Sequence, residues 1–181
     1  MRLFIGIDFP NYVTRHLSQL RGSLTYVRWY DPGTYHLTLN FIGEINDYDL
    51  LNDLDLTLEK ISPPSFNLTI DKVNLFQTAS NTQILWAGIQ PSESLVHLRK
   101  KVEQILRQLE IKTQKQKFVP HITLGKGSCL PQEHIKQWLN HYNLLKIPDI
   151  EITHFSLFSS YPGKEQPNYI IEKNYPLSFQ T

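Results

Sequence analysis

The chain has a single cysteine, Cys129, in 181 residues, which excludes an internal disulfide framework and a cysteine-based zinc site. It also lacks net charge: eighteen basic residues against seventeen acidic ones leave +1, too little for the electrostatic footprint of a tight duplex binder. No apolar run approaches the eighteen residues of a membrane span, and the opening apolar stretch is short and flanked by charge, so neither anchor nor leader is expected. A phosphate-cradling glycine loop, a nucleophile elbow and an HExxH helix are all missing. What remains is an ordinary globular composition, 40% apolar and 19% charged. The length suits one domain with a sizeable core, and we expect a monomeric, cytoplasmic protein.

Against that background one pattern occurs twice. His36-Leu37-Thr38-Leu39 returns 85 residues later as His121-Ile122-Thr123-Leu124. Apolar residues alternate with His and Thr, the pattern of a strand buried on one face. Successive strand side chains point to opposite faces, so His36 and Thr38 share one face while Leu37 and Leu39 anchor the other. His121 and Thr123 stand in the same relation to Ile122 and Leu124. Each His/Thr pair is about 7 Å apart along its strand, a spacing that lets imidazole and hydroxyl reach two oxygens of one small anion. If the strands lie side by side or across a cleft, the anion meets two imidazoles and two hydroxyls. With ordinary pKa values near 6.5, one histidine can accept a proton while the other gives one, and phosphodiester cleavage needs both acts. Two strands that each carry a structural histidine, with threonine present for strand propensity, is the plainer alternative.

The rest of the chain supplies the frame. Arg2 to Asp8 reads as a buried strand, and Pro10 opens a helix running to about Leu24. Tyr26 to Tyr30 reads as a strand, Asp31-Pro32-Gly33 as a turn, and together they predict a hairpin that delivers His36. Helices are expected from Asp47 to Ile61, stopped by Pro63-Pro64, from Pro91 to Leu109 with Ser92 as cap, and from Pro131 to Asn140. Arg99, Lys100, Lys101, Glu103, Arg107 and Glu110 on the second of these helices read as a solvated outer face. Strands are expected at Phe66 to Ile70, Thr82 to Ile89, Asp149 to Ser159 and Tyr169 to Phe179. His16, His97, His134 and His141 read as surface or structural residues, and His154 as pointing away from the core. The basic loop Lys112 to Lys117 stands ahead of the second motif, where it could steer an anion.

The duplicated motif resembles the signature of the 2H phosphoesterases. Its flanks resemble the RNA 2',3'-cyclic phosphodiesterases, formerly called 2'-5' RNA ligases: Arg2-Leu3-Phe4-Ile5-Gly6-Ile7-Asp8, Tyr35 through Glu44, Leu85-Trp86-Ala87-Gly88-Ile89, and Phe118-Val119-Pro120-His121-Ile122-Thr123-Leu124. The resemblance covers nearly the whole chain. It implies an α+β fold of two similar lobes, mostly antiparallel sheets with helices outside, one motif in each lobe and a cleft between. It further implies hydrolysis of RNA 2',3'-cyclic phosphate ends to 2'-phosphates without metal or cofactor. On this resemblance His36 is the proton donor, His121 the proton acceptor, and Thr38 and Thr123 the phosphate donors. Lys126 stands where an arginine is common, and keeps the charge while losing the bidentate fork. Phe118 matches an aromatic on the approach to the second motif, and Gln116-Lys117 replaces the usual Arg-Pro. The partner is thus an RNA or nucleotide end carrying a cyclic phosphate. A module that binds such an end without turnover, or a related activity such as 2'-5' ligation or 2'-5' cleavage, remains open.

Overall fold

A computed structural model describes residues 2–22, 24–113 and 117–179. Gln116, one of the two residues read as a departure before the second motif, and Lys115 of the basic loop lie outside the described residues. Among the described residues nine strands form one connected sheet with antiparallel pairing between all named strands. They are β1 (Arg2–Asp8), β2 (Val27–Trp29), β3 (His36–Gly43), β4 (Phe66–Gln77), β5 (Thr82–Ile89), β6 (His121–Ser128), β7 (Lys146–Ile152), β8 (His154–Tyr161) and β9 (Asn168–Pro176). Four helices accompany them: α1 (Asn11–Ser18), α2 (Tyr48–Leu58), α3 (Glu93–Gln108) and α4 (Gln132–His141). The fold is α+β.

The sheet is organised about its two motif strands. From the seam outward the order is β3-β1-β8-β9 on one side and β6-β5-β4-β7 on the other. The seam itself is one ladder pair, Leu37 with Ile122. Both are fully buried, as are Leu3, Ile5, Ile7, Leu85 and Ala87 from the flanking strands. Onto this core the helices turn apolar stripes: Val13 and Leu17 from α1, Leu54 and Leu58 from α2, Leu95, Leu98, Val102, Ile105 and Leu106 from α3, and Trp138 from α4. Side chains of Asp47 and Ser92 cap α2 and α3 by accepting backbone N–H groups of the first turn.

Three expectations need correction. The segment before the first motif is no hairpin arm, because β2 pairs with β6, through Val27–Gly127, Arg28–Lys126 and Trp29–Gly125. A 3-10 turn at Pro32–Thr34 then carries the chain on, and β2 and β3 lie end to end along one edge of β6. The reason is reach: the turn advances the chain rather than reversing it, with Tyr30 N still donating to Leu124 O. Asp149 to Ser159 is two strands, since the chain leaves β7 on one arm and enters β8 on the other with only Thr153 between. The ends of the sheet therefore approach each other, and Leu177 N donates to Thr153 O while Ser178 bonds to Pro63 and Ser65. The first helix stops at Ser18, followed by a 3-10 turn and Gly22 at φ 54°, a positive φ that glycine adopts without the cost of a Cβ.

Candidate active site

Extending the Leu37–Ile122 register by one residue either way opposes His36 to Thr123 and Thr38 to His121. The histidine of each motif thus faces the threonine of the other, and all four side chains lie on the face opposite the buried leucine and isoleucine. The two rings are held alike. His36 Nδ1 lies 2.7 Å from the Thr34 carbonyl, and His121 Nδ1 lies 2.7 Å from the Val119 carbonyl. A carbonyl only accepts, so Nδ1 carries the proton in both rings, and Nε2 is left to work.

Both rings sit among aromatics. The His36 ring lies 4.9 Å from Phe4, 5.6 Å from Phe158 and edge-on at 4.6 Å to Tyr169. His121 has Phe76 edge-on at 4.9 Å and Trp86 at 5.7 Å. Burial is the main reason both imidazoles are held below their ordinary value, because desolvation disfavours the cation. For His36 the proximity of His121 adds to the depression, so a charge on His121 disfavours one on His36. Burial, with Tyr30 adding, pushes the Tyr169 hydroxyl up to about 12, so it stays protonated beside His36.

Each motif strand then makes the same irregularity. In β3, Leu39 and Asn40 are both buried, and the pairing with β1 skips from Thr38 opposite Gly6 to Asn40 opposite Ile5. In β6, Leu124 and Gly125 are both buried, and the pairing with β5 skips from Thr123 opposite Trp86 to Gly125 opposite Leu85. One extra residue reverses the alternation. The fifth residue after each histidine, which a regular strand would turn into the core, therefore joins the His/Thr face: Phe41 in one arm, Lys126 in the other. Phe41 is 58% exposed, an aromatic plane presented to solvent beside Thr38.

A cavity of about 300 Å³ is lined by Thr38, Phe41, Phe76, Arg99, Phe118 and His121, among others. Phe118 stands in its wall. Lys126 does not line it; it shares a groove of about 650 Å³ with Arg28. Arg99 corrects the reading of α3's charged residues as a solvated face. Its guanidinium lies 4.4 Å over the Phe118 ring, its Nε donates to the Leu39 carbonyl at 3.3 Å, and it pairs with Glu103. It borders the apolar stripe, four residues after Leu95, and that position was the available signal. Phe41, Phe76, Trp86 and Tyr169 escaped because a cross-strand neighbour is invisible until the register is known.

Asp8 is opposite His36 in the β1–β3 register, yet its carboxylate is engaged elsewhere. It accepts from His154 Nε2 at 3.0 Å and from Ser156 Oγ at 3.2 Å. The His154 hydrogen bond lowers the Asp8 pKa, and the carboxylate in turn raises that of His154.

Known proteins share this architecture. An RNA 2',3'-cyclic phosphodiesterase of Methanocaldococcus jannaschii is 22% identical over 180 residues, covering 97% of this chain and all of that protein. One from Thermotoga maritima is 26% identical over 167 residues, 88% of this chain and 87% of that one. The crystal structure of E. coli LigT complexed with 3'-AMP superposes with a TM-score of 0.76 at 24% identity, covering 98% of each chain. The family model of the 2'-5' RNA ligase superfamily matches residues 9–162. With the fold, the paired strands and that match in agreement, the chain belongs to the 2'-5' RNA ligase superfamily.

Proposed function

We propose that this protein hydrolyses 2',3'-cyclic phosphates at RNA ends to 2'-phosphates, using His36 and His121 as acid and base without a metal. The observation that carries the reading is the seam: one ladder pair sets two His/Thr half-sites against each other, each imidazole with Nδ1–H spent on its own strand and Nε2 available. Relatives that match 97% and 88% of this chain bear the name of that activity.

The chemistry follows from the proton inventory. His121 Nε2 takes a proton from water as the water oxygen bonds to phosphorus. The bond from phosphorus to the 3' oxygen breaks on the opposite side, and that oxygen receives the Nε2 proton of His36, which enters the step as the imidazolium while His121 enters neutral. Thr38 and Thr123 donate to the non-bridging oxygens, whose charge grows in the transition state. One ester opens and the 2' ester stays. The exposed Phe41 ring offers the terminal base a stacking surface, an interaction of about 1–3 kcal/mol per base.

Phosphorus NMR of a hydrolysed 2',3'-cyclic mononucleotide, run in chelator, tests the reading. The expected product is a 2'-phosphate with a free 3' hydroxyl. A 3'-phosphate would overturn the assignment of acid and base, and an unchanged cyclic phosphate would make the cleft a binding site without turnover.

A further inference from the structure

The bulge in β3 buries an asparagine where an apolar side chain would cost less. Regular alternation would put Asn40 on the His/Thr face, but the extra residue turns it inward and leaves it 5% exposed. Among the described residues its Oδ1 has no hydrogen-bond partner. A buried acceptor left unpaired costs folding free energy that leucine in the same place would not. Arg21 Nε, Tyr35 Oη and Trp86 Nε1 share that condition, yet of these four residues only Asn40 lines the cavity beside Thr38 and His121.

The other arm shows where the room comes from. At the same step of the β6 bulge stands Gly125, and β2 fills the space beside it, its Arg28 carbonyl and Trp29 Cα lying 2.7 and 3.1 Å from where a Cβ would be. Among the described residues no strand lies beside β3 at that point, and the cavity of about 300 Å³ takes the place of one. Phe41, Phe76 and Phe118 stand in its walls, with Arg99 over the Phe118 ring. A small aromatic-walled cavity with few polar groups suits one flat heterocycle. Thr38 and His121 belong both to the cavity and to the phosphate site, so the heterocycle that enters is the base joined to that phosphate through the ribose. We propose that this cavity is a base pocket in which Asn40 selects adenine. The proposal rests on the reading of the His/Thr seam as the phosphate's site, and it adds a base preference. An asparagine amide pairs with adenine through two bonds, Oδ1 accepting from the amino group and Nδ2 donating to a neighbouring ring nitrogen. The terminal torsion of asparagine is broad, so the amide can turn its oxygen to the ligand, which then supplies the missing donor. The phenylalanine walls favour a purine for its larger stacking surface.

Calorimetry with adenosine 2'-phosphate and purine riboside 2'-phosphate, which differ only in the amino group, tests the pocket without requiring turnover. The wild type should bind the adenosine ligand at least ten times more tightly, because a site built to hydrogen-bond a group rejects the analogue that lacks it. Asn40→Leu should bring the ratio of the two affinities close to one. Asn40→Ala should do the same, which keeps the test open if the leucine variant does not fold. Equal binding by the wild type, no binding of either ligand, or an adenine advantage that survives the substitution would each overturn the pocket. Hydrolysis of the 2',3'-cyclic phosphate of purine riboside, measured alongside, reports on the seam alone. Turnover with equal binding overturns the base pocket and leaves the chemistry standing, whereas an adenine advantage without turnover supports the pocket and overturns the chemistry.

Discussion

His36 and His121 each donate from Nδ1 to a backbone carbonyl and leave Nε2 available, the division that the proposed acid and base roles require. Replacing either by alanine should cut turnover by roughly 100- to 10,000-fold, the usual contribution of a positioned acid or base, with the thermal midpoint little changed. Retention of more than a tenth of the activity would remove that residue from the mechanism. Thr38→Ala and Thr123→Ala each delete one hydrogen bond to a charged group, so the loss in kcat/KM should correspond to about 1.5–3 kcal/mol. Asp8 and His154 make a different prediction. A lowered carboxylate and a raised imidazole stabilise the fold between them: the Asp8 share is lost as pH falls through its depressed value, and the His154 share as pH rises through its elevated one. Asp8→Asn should therefore lower Tm at pH 5.5 more than at pH 8.5. The pair is about one-third exposed, which limits the effect to about 1 kcal/mol. At this scale the sequence was legible where a motif repeats, and both His/Thr pairs stand as the alternation implied. Arg99 and the aromatic neighbours were not, because each reaches the site by a register or a helix flank that no local pattern encodes.

The elements that place these residues are strands whose alternation breaks once. Periodicity located most strands and all four helices, since buried stripes at two- and three-to-four-residue steps are local properties. It could not reveal that β2 pairs with β6, or that one apolar run divides at Thr153 between two arms, because pairing is decided by contacts distant in sequence. The bulges were equally hidden, as two consecutive buried residues such as Leu39 and Asn40 look like noise in a pattern. Their importance is testable at Gly125. A Cβ there would lie 2.7 Å from the Arg28 carbonyl and 3.1 Å from the Trp29 Cα, both backbone atoms of β2 that cannot move aside cheaply. Gly125→Ala should destabilise by about 1–3 kcal/mol in urea unfolding. Wild-type stability in this variant would show that β2 does not press on the bulge.

At the scale of the molecule, two four-strand arms meet at one ladder pair, with the ends of the sheet drawn together at Thr153, Ser178 and Pro63. The seam is thus braced from both sides, and its two imidazoles are buried in a structure that prefers them neutral. Unfolding releases both to their ordinary value of 6.5, so below that pH the unfolded chain binds more protons and stability falls as the medium is acidified. On the proposed mechanism activity carries a matching signature, because catalysis would need one imidazole charged and the other neutral. The most direct test is the pH dependence of kcat/KM for a cyclic phosphate substrate in chelator, for the wild type and for the His36→Ala and His121→Ala variants. The account predicts a bell for the wild type, its limbs belonging to the coupled pair, and the loss of one limb together with most of the rate in each variant. A rate that rises steadily to high pH, requires a divalent metal, or keeps both limbs after either substitution would contradict it.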